Sequence, residues 1–138
     1  MSEYNMRVRF YAERYRYLLG YDGGTGKSYL YSILSGYRQL NKNRILLFTK
    51  SEYYREDDII DEIEKFTGDI IMLDRFDLYY TDDIINAINN KDNCIILIDS
   101  KDTAVANKLK ARLAYINMTE RIIEVHELWY YYLKMTLA

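Results

Sequence analysis

Short continuous apolar runs alternate along the chain with segments whose apolar residues recur at helical spacing. Residues 14–21 (RYRYLLGY), rich in aromatic and apolar side chains, read as a strand. Leu30, Ile33, Leu34 and Tyr37 then share one face of a helix over 28–40. Asn41, Lys42 and Asn43 make a turn into a second strand at 44–49 (RILLFT). Ile59, Ile60, Ile63 and Phe66 mark a helix near 57–66. The helix dipole favours Glu56, Asp57 and Asp58 in its first turn, and Gly68 closes it. A third strand follows at 69–73 (DIIML). Thr81 suits the N-cap of a helix that turns Ile84, Ile85 and Ile88 inward. A fourth strand at 94–98 (CIILI), a helix from about 103 to 116 and a fifth strand at 121–125 (RIIEV) complete the series.

Strands that are apolar throughout are buried on both faces. Their alternation with helices implies a parallel sheet covered on both sides by right-handed crossovers. The expected fold is therefore α/β: one domain over 1–138, with a mostly parallel five-stranded sheet and helices on both faces. The ends are less defined and leave room for antiparallel edge strands. Residues 6–11 (MRVRFY) alternate like a half-exposed strand suited to pair antiparallel with the strand after it. Residues 128–135 (LWYYYLKM) fit a strand or a short helix equally.

Composition narrows the function classes. A chain of 138 residues is long enough to bury roughly two-thirds of its unfolded surface. With 19 Lys and Arg against 21 Asp and Glu, the net charge of −2 argues against attachment to nucleic acid by bulk charge. Cys94, the single cysteine, makes no internal disulfide and suits a reducing, cytoplasmic setting. No stretch approaches the ~18 apolar residues of a membrane helix, and MSEYNMRVRF does not read as a signal peptide. The chain has no proline, so turns fall to Gly, Asn and Asp. Its 16 tyrosines supply amphipathic surface suited to a protein partner or to self-association.

The segment between the first strand and the first helix carries the chemistry. It reads Tyr21-Asp22-Gly23-Gly24-Thr25-Gly26-Lys27-Ser28 and resembles the Walker A loop of P-loop NTPases, with a strand before it and a helix after it. Glycines let successive N–H groups point into one concavity, and the helix N-terminus adds a dipole favourable to phosphate. The resemblance implies that Asp22, Gly23, Gly24, Thr25 and Gly26 wrap the phosphates of a nucleotide. Lys27 would reach the β- and γ-phosphates, and Ser28 would hold Mg²⁺. Tyr21 stands where the motif has its first glycine.

The resemblance continues at Ile70-Ile71-Met72-Leu73-Asp74, a Walker B-like apolar run ending in an acid. Asp74 would face the metal opposite Ser28. Chain order is similar to the additional-strand class that contains AAA-type ATPases, with 94–98 as the strand inserted between the two motif strands. Asp99-Ser100 then occupies the place of a polar γ-phosphate sensor. Where that class has a glutamate to orient water, this chain has Arg75, which accepts no proton. Asp77 is the nearby substitute. The chain also ends without room for the lid domain of AAA-type ATPases. Mg²⁺-ATP binding with slow or partner-dependent hydrolysis is thus the expectation; Arg112 and Arg121 are candidate arginine-finger donors to a neighbour, but a solvated helix or strand-end charge is the preferred reading of each. ATP is favoured over GTP by default, because neither 90–93 nor 107–110 fits N-K-x-D.

A different class of function stays open: a degenerate P-loop fold serving as a non-catalytic interaction or regulatory module. A small-molecule kinase ranks below both, since no arginine-rich lid lies between the fourth and fifth strands. His126 is the one histidine, which does not support a zinc site. Arg7, Arg9, Arg14 and Arg16 interleave with Phe10, Tyr11, Tyr15 and Tyr17, a pattern that grips single-stranded nucleic acid in some proteins. A ribbon with solvated arginines is the preferred reading. The run 129–132 (WYYY) adds an aromatic patch suited to a protein partner.

Overall fold

A computed structural model of the chain describes residues 7–19, 26–49 and 55–128. The strands are β1 (Arg7–Tyr11), β2 (Arg16–Leu19), β3 (Ile45–Phe48), β4 (Ile70–Leu73), β5 (Ile95–Ile98), β6 (Arg112–Met118) and β7 (Ile122–Glu127). The helices among the described residues are α1 (Gly26–Leu40), α2 (Glu56–Lys65), α3 (Asp82–Asn89) and α4 (Thr103–Lys108), and Phe76–Leu78 forms a 3₁₀ turn. All seven strands form one mixed sheet in the order β1-β7-β6-β2-β5-β4-β3, curled into a half-barrel. Strands β6, β2, β5, β4 and β3 run parallel to one another. β7 runs antiparallel to β6 and carries β1 parallel on its outer side.

Period-two alternation divides the core between the two faces. Leu46, Phe48, Ile71, Leu73, Ile96 and Ile98 point to the face covered by Ile59 and Ile63 of α2, Ile84, Ile85 and Ile88 of α3, and Val105 of α4. Ile45, Leu47, Ile70, Met72 and Leu97 point to the other, where Leu30, Ile33 and Leu34 of α1 pack. Burial on both faces is why β3 and β4 are apolar at every position. No helix among the described residues is long and apolar enough to cross a membrane.

The expected five-stranded, mostly parallel sheet with helices on both faces is corrected by this topology: the described residues form a curled sheet of seven strands, and one neighbouring pair is antiparallel. Two local errors produced the difference. The helix expected over 103–116 stops at Lys108, and Arg112–Met118 is strand β6. Side chains from distant segments end the helix: Asn89 Nδ2 donates to the Lys108 carbonyl (3.1 Å), and the Lys110 N–H donates to Asn89 Oδ1 (2.8 Å). Arg16 Nε also donates to the Lys110 carbonyl (2.7 Å), fixing the chain in extended form beside β2. The first strand does not pair antiparallel with its successor, because β2 is flanked on both sides by β5 and β6. Residues 129–135, read as strand or helix, lie outside the described residues.

Gly68 acts differently from a helix-closing glycine. α2 is capped by Phe66, and none of the described glycines has positive φ. A Cβ at Gly68 would sit 2.5 Å from the Asn43 carbonyl oxygen and 2.8 Å from the Arg44 carbonyl carbon. Close backbone approach, rather than left-handed φ, requires glycine here. Gly68→Ala is expected to cost about 1–3 kcal/mol, read as a lower urea midpoint; an unchanged midpoint would show that the Asn43–Arg44 backbone yields freely.

Two buried protonated groups make stability depend on alkali. Burial pushes the Cys94 thiol up from 9.0 to about 11, and burial likewise pushes the Tyr17 hydroxyl up from 10.0 to about 12. Both shifts are upward, so each contribution is fully present below the unfolded value and is lost as pH rises through the folded one. The urea midpoint is therefore expected to fall progressively above about pH 9, and Cys94→Ala should remove the earlier part of that fall. A midpoint constant to pH 11 would contradict the burial of both groups.

Candidate functional site

Parallel pairing brings the carboxyl ends of β2, β4 and β5 to one end of the sheet, where ligands collect in open α/β folds. β5 pairs with β2 on one side and β4 on the other, so its end lies between the other two. α1 begins at this end with Gly26 and Lys27. Gly26 is packed against β6: a Cβ there would meet the Ile116 side chain at 3.0 Å. Lys27, in the first turn, is half-buried and Ser28 is exposed. Asp22, Gly23, Gly24 and Thr25, with Tyr21, lie outside the described residues.

Lys27 is not solvated freely. Its Nζ lies 3.2 Å from Asp99 Oδ1, and Asp99 is buried at 6% exposure. The remaining Asp99 atoms hold the turn after β4. Its Oδ2 accepts from the Arg75 N–H (3.4 Å), and its carbonyl accepts from the Phe76 N–H (2.7 Å). Asp99 is thus the centre of the corner, in the segment that the resemblance gives the place of a polar γ-phosphate sensor. Ser100 turns away into its own loop, donating to the Asp102 carbonyl (3.3 Å) and accepting from the Asp102 N–H (3.2 Å).

Asp74 ends β4 half-buried, with Thr49 Oγ1 donating to its Oδ2 (3.4 Å) and the Tyr79 hydroxyl donating to its carbonyl (2.9 Å). Arg75, next along, adopts φ 48° and ψ 51°, the one non-glycine left-handed conformation among the described residues. Such a conformation costs of order 1–2 kcal/mol and persists where surrounding contacts enforce it. Here its Nε and terminal nitrogen grip Asp77 at 3.2 and 3.0 Å. Asp77 Oδ1 also accepts from the Lys101 N–H (3.1 Å). The hydrogen bond from Arg75 holds the Asp77 carboxyl below its usual range, and Asp77 in turn raises Arg75. Both Asp77 oxygens are engaged, an arrangement poor in basicity.

Lys27 and Arg75 stand against Asp74, Asp77 and Asp99, so the corner carries one excess negative charge. Hard oxygen donors from Asp74 and Ser28 suit Mg²⁺, which needs only one or two protein ligands when phosphate supplies others. The arginines named as finger donors differ in place. Arg112 opens β6 at the opposite end, paired with Glu13 (3.1 Å) and Glu127 (3.0 Å). Arg121 is exposed in the β6–β7 turn, at the same end as Lys27. His126 is stacked between Tyr11 and Tyr115, with ring centroids at 4.6 and 5.3 Å, and lies 3.1 Å from Glu124.

No protein-family model matches the chain, and no curated protein matches its sequence. The functional reading rests on the loop motif and on this corner.

Proposed function

We propose that the chain is a nucleotide-binding P-loop domain of the additional-strand class that takes Mg²⁺-ATP at the carboxyl ends of β2, β4 and β5. The observation that carries the reading is the convergence of Lys27, Asp74 and Asp99 at one end of a sheet in which β5 separates the two motif strands. Backbone N–H groups of 22–26 and the start of α1 bind phosphate, with Lys27 as the cation. Ser28 and Asp74 hold Mg²⁺, which neutralises phosphate charge when bound.

Hydrolysis is slow or waits for a partner. Arg75 occupies the place of the water-orienting glutamate, and Asp77 is committed to Arg75 and Lys101. Missing general-base help is worth about 10²–10⁴ in rate. The same pair favours a second reading, a P-loop fold retained as an interaction module that binds protein through its tyrosine-rich surface in the cytoplasm. Calorimetric titration separates them. Mg²⁺-ATP should bind in the micromolar range and outcompete Mg²⁺-GTP; absence of binding by folded protein overturns the nucleotide reading.

A further inference from the structure

Resting on that nucleotide reading, we propose that Asp99 is a positioning residue that latches Lys27 until phosphate takes it, so the end of β5 reports phosphate to the turn at 75–77. A carboxylate with so little exposure is stable only when its charge is compensated. Lys27 is the cation in direct contact with it, at 3.2 Å, with the Arg75 charge adding a weaker attraction from further away. Phosphate oxygens recruit the same ammonium, so binding sets two anions in competition for one cation. Nucleotide must draw Lys27 off Asp99 and must also sit near a carboxylate of like charge.

The released carboxylate has other donors within reach. Arg75 N–H already points at Oδ2 from 3.4 Å, long enough to shorten as Asp99 loses its counter-ion. Phe76 N–H is fixed to the Asp99 carbonyl at 2.7 Å, and the Lys101 N–H is fixed to Asp77 at 3.1 Å. The end of β5 and the turn after β4 are therefore laced together by three hydrogen bonds. A change at Asp99 reaches the strained Arg75 and its hold on Asp77. Exposed Leu78 lies on the 3₁₀ turn that follows. Lys27 occupancy by phosphate thus biases the turn at 75–78.

Asp99→Asn tests the latch, because it keeps the shape and an acceptor while removing the charge. Mg²⁺-ATP affinity is expected to rise about tenfold, the opposite of what loss of a purely structural residue gives. Lys27 acetylation by acetic anhydride without nucleotide, followed by peptide mass, is expected to rise several-fold. Unchanged labelling, or equal or weaker affinity in folded variant, overturns the latch. Raised labelling with no Mg²⁺-ATP binding by either protein fells the nucleotide reading and leaves the ion-pair latch standing. The wild type supplies a measurement needing no substitution: saturating Mg²⁺-ATP should shift the amide resonances of Arg75 and Phe76. Unmoved resonances overturn the coupling.

Discussion

Lys27→Ala is expected to weaken Mg²⁺-ATP binding at least about a hundredfold, since a lysine bridging two phosphates makes charge-assisted bonds worth about 1.5–3 kcal/mol each. The substitution has a second consequence that must be separated from the first. Asp99 loses the ammonium 3.2 Å away and keeps a charge at 8% side-chain exposure. An uncompensated polar group of that kind costs about 1–3 kcal/mol, so Lys27→Ala should also unfold earlier in urea. The double variant Lys27→Ala/Asp99→Asn removes the stranded charge and should recover most of the stability without recovering binding. Binding equal to wild type in either variant would show that Lys27 is not a phosphate ligand. Recovery of affinity together with stability would assign the whole effect to folding.

Much of the architecture was legible because burial on both faces leaves a one-dimensional mark. The runs at β3, β4 and β5, and the helical faces of α1, α2 and α3, are hydrophobic enough to be read without neighbours. Thr81 behaves as its type predicts, its Oγ1 accepting from the Ile84 N–H at 3.2 Å. At the β6-β7-β1 side of the sheet, β1 and β7 read as strands, but β6 reads as helix and β1 reads as the partner of β2, because the determinants there are remote. Leu113 and Ile116 have helical spacing in the sequence, but α4 is ended by Asn89 and β6 is seated by Arg16. Neither contact is visible along the chain. β1 likewise takes a partner more than a hundred residues away, in place of its neighbour, because both sides of β2 are occupied.

The site divides in the same way. Lys27, Ser28 and Asp74 were singled out by local pattern alone, a glycine-rich turn before a helix and an apolar run ending in an acid. The ion pairs were not. Asp99 lies 72 positions beyond Lys27, and only the placement of β5 beside β2 joins them. The sequence marks Arg75 only as the residue in the place of a water-orienting glutamate. The left-handed backbone of Arg75 carries the guanidinium to Asp77, two residues on. Nothing in an arginine at a strand end signals that conformation, which depends on acceptors supplied by another strand.

Phe76→Ala is expected to cost about 3–5 kcal/mol of stability, the upper range for large-to-small core substitutions. Phe76 is fully buried among Phe48, Leu73, Ile84 and Ile98, with Tyr79 edge-on at 5.6 Å between ring centroids. It begins the 3₁₀ turn whose first N–H meets the Asp99 carbonyl, so its ring anchors the floor of the proposed site. Alanine leaves a cavity beneath the turn and removes the ring against which Tyr79 and Tyr80 pack. Phe76→Leu refills most of that space and should cost less than half as much. Urea denaturation of both variants measures the packing term. Mg²⁺-ATP titration under conditions where Phe76→Ala remains folded measures the positional one. A stability loss with unchanged affinity would confine Phe76 to the core, whereas weakened binding restored by leucine would show that the ring fixes the Asp99 corner where phosphate is read.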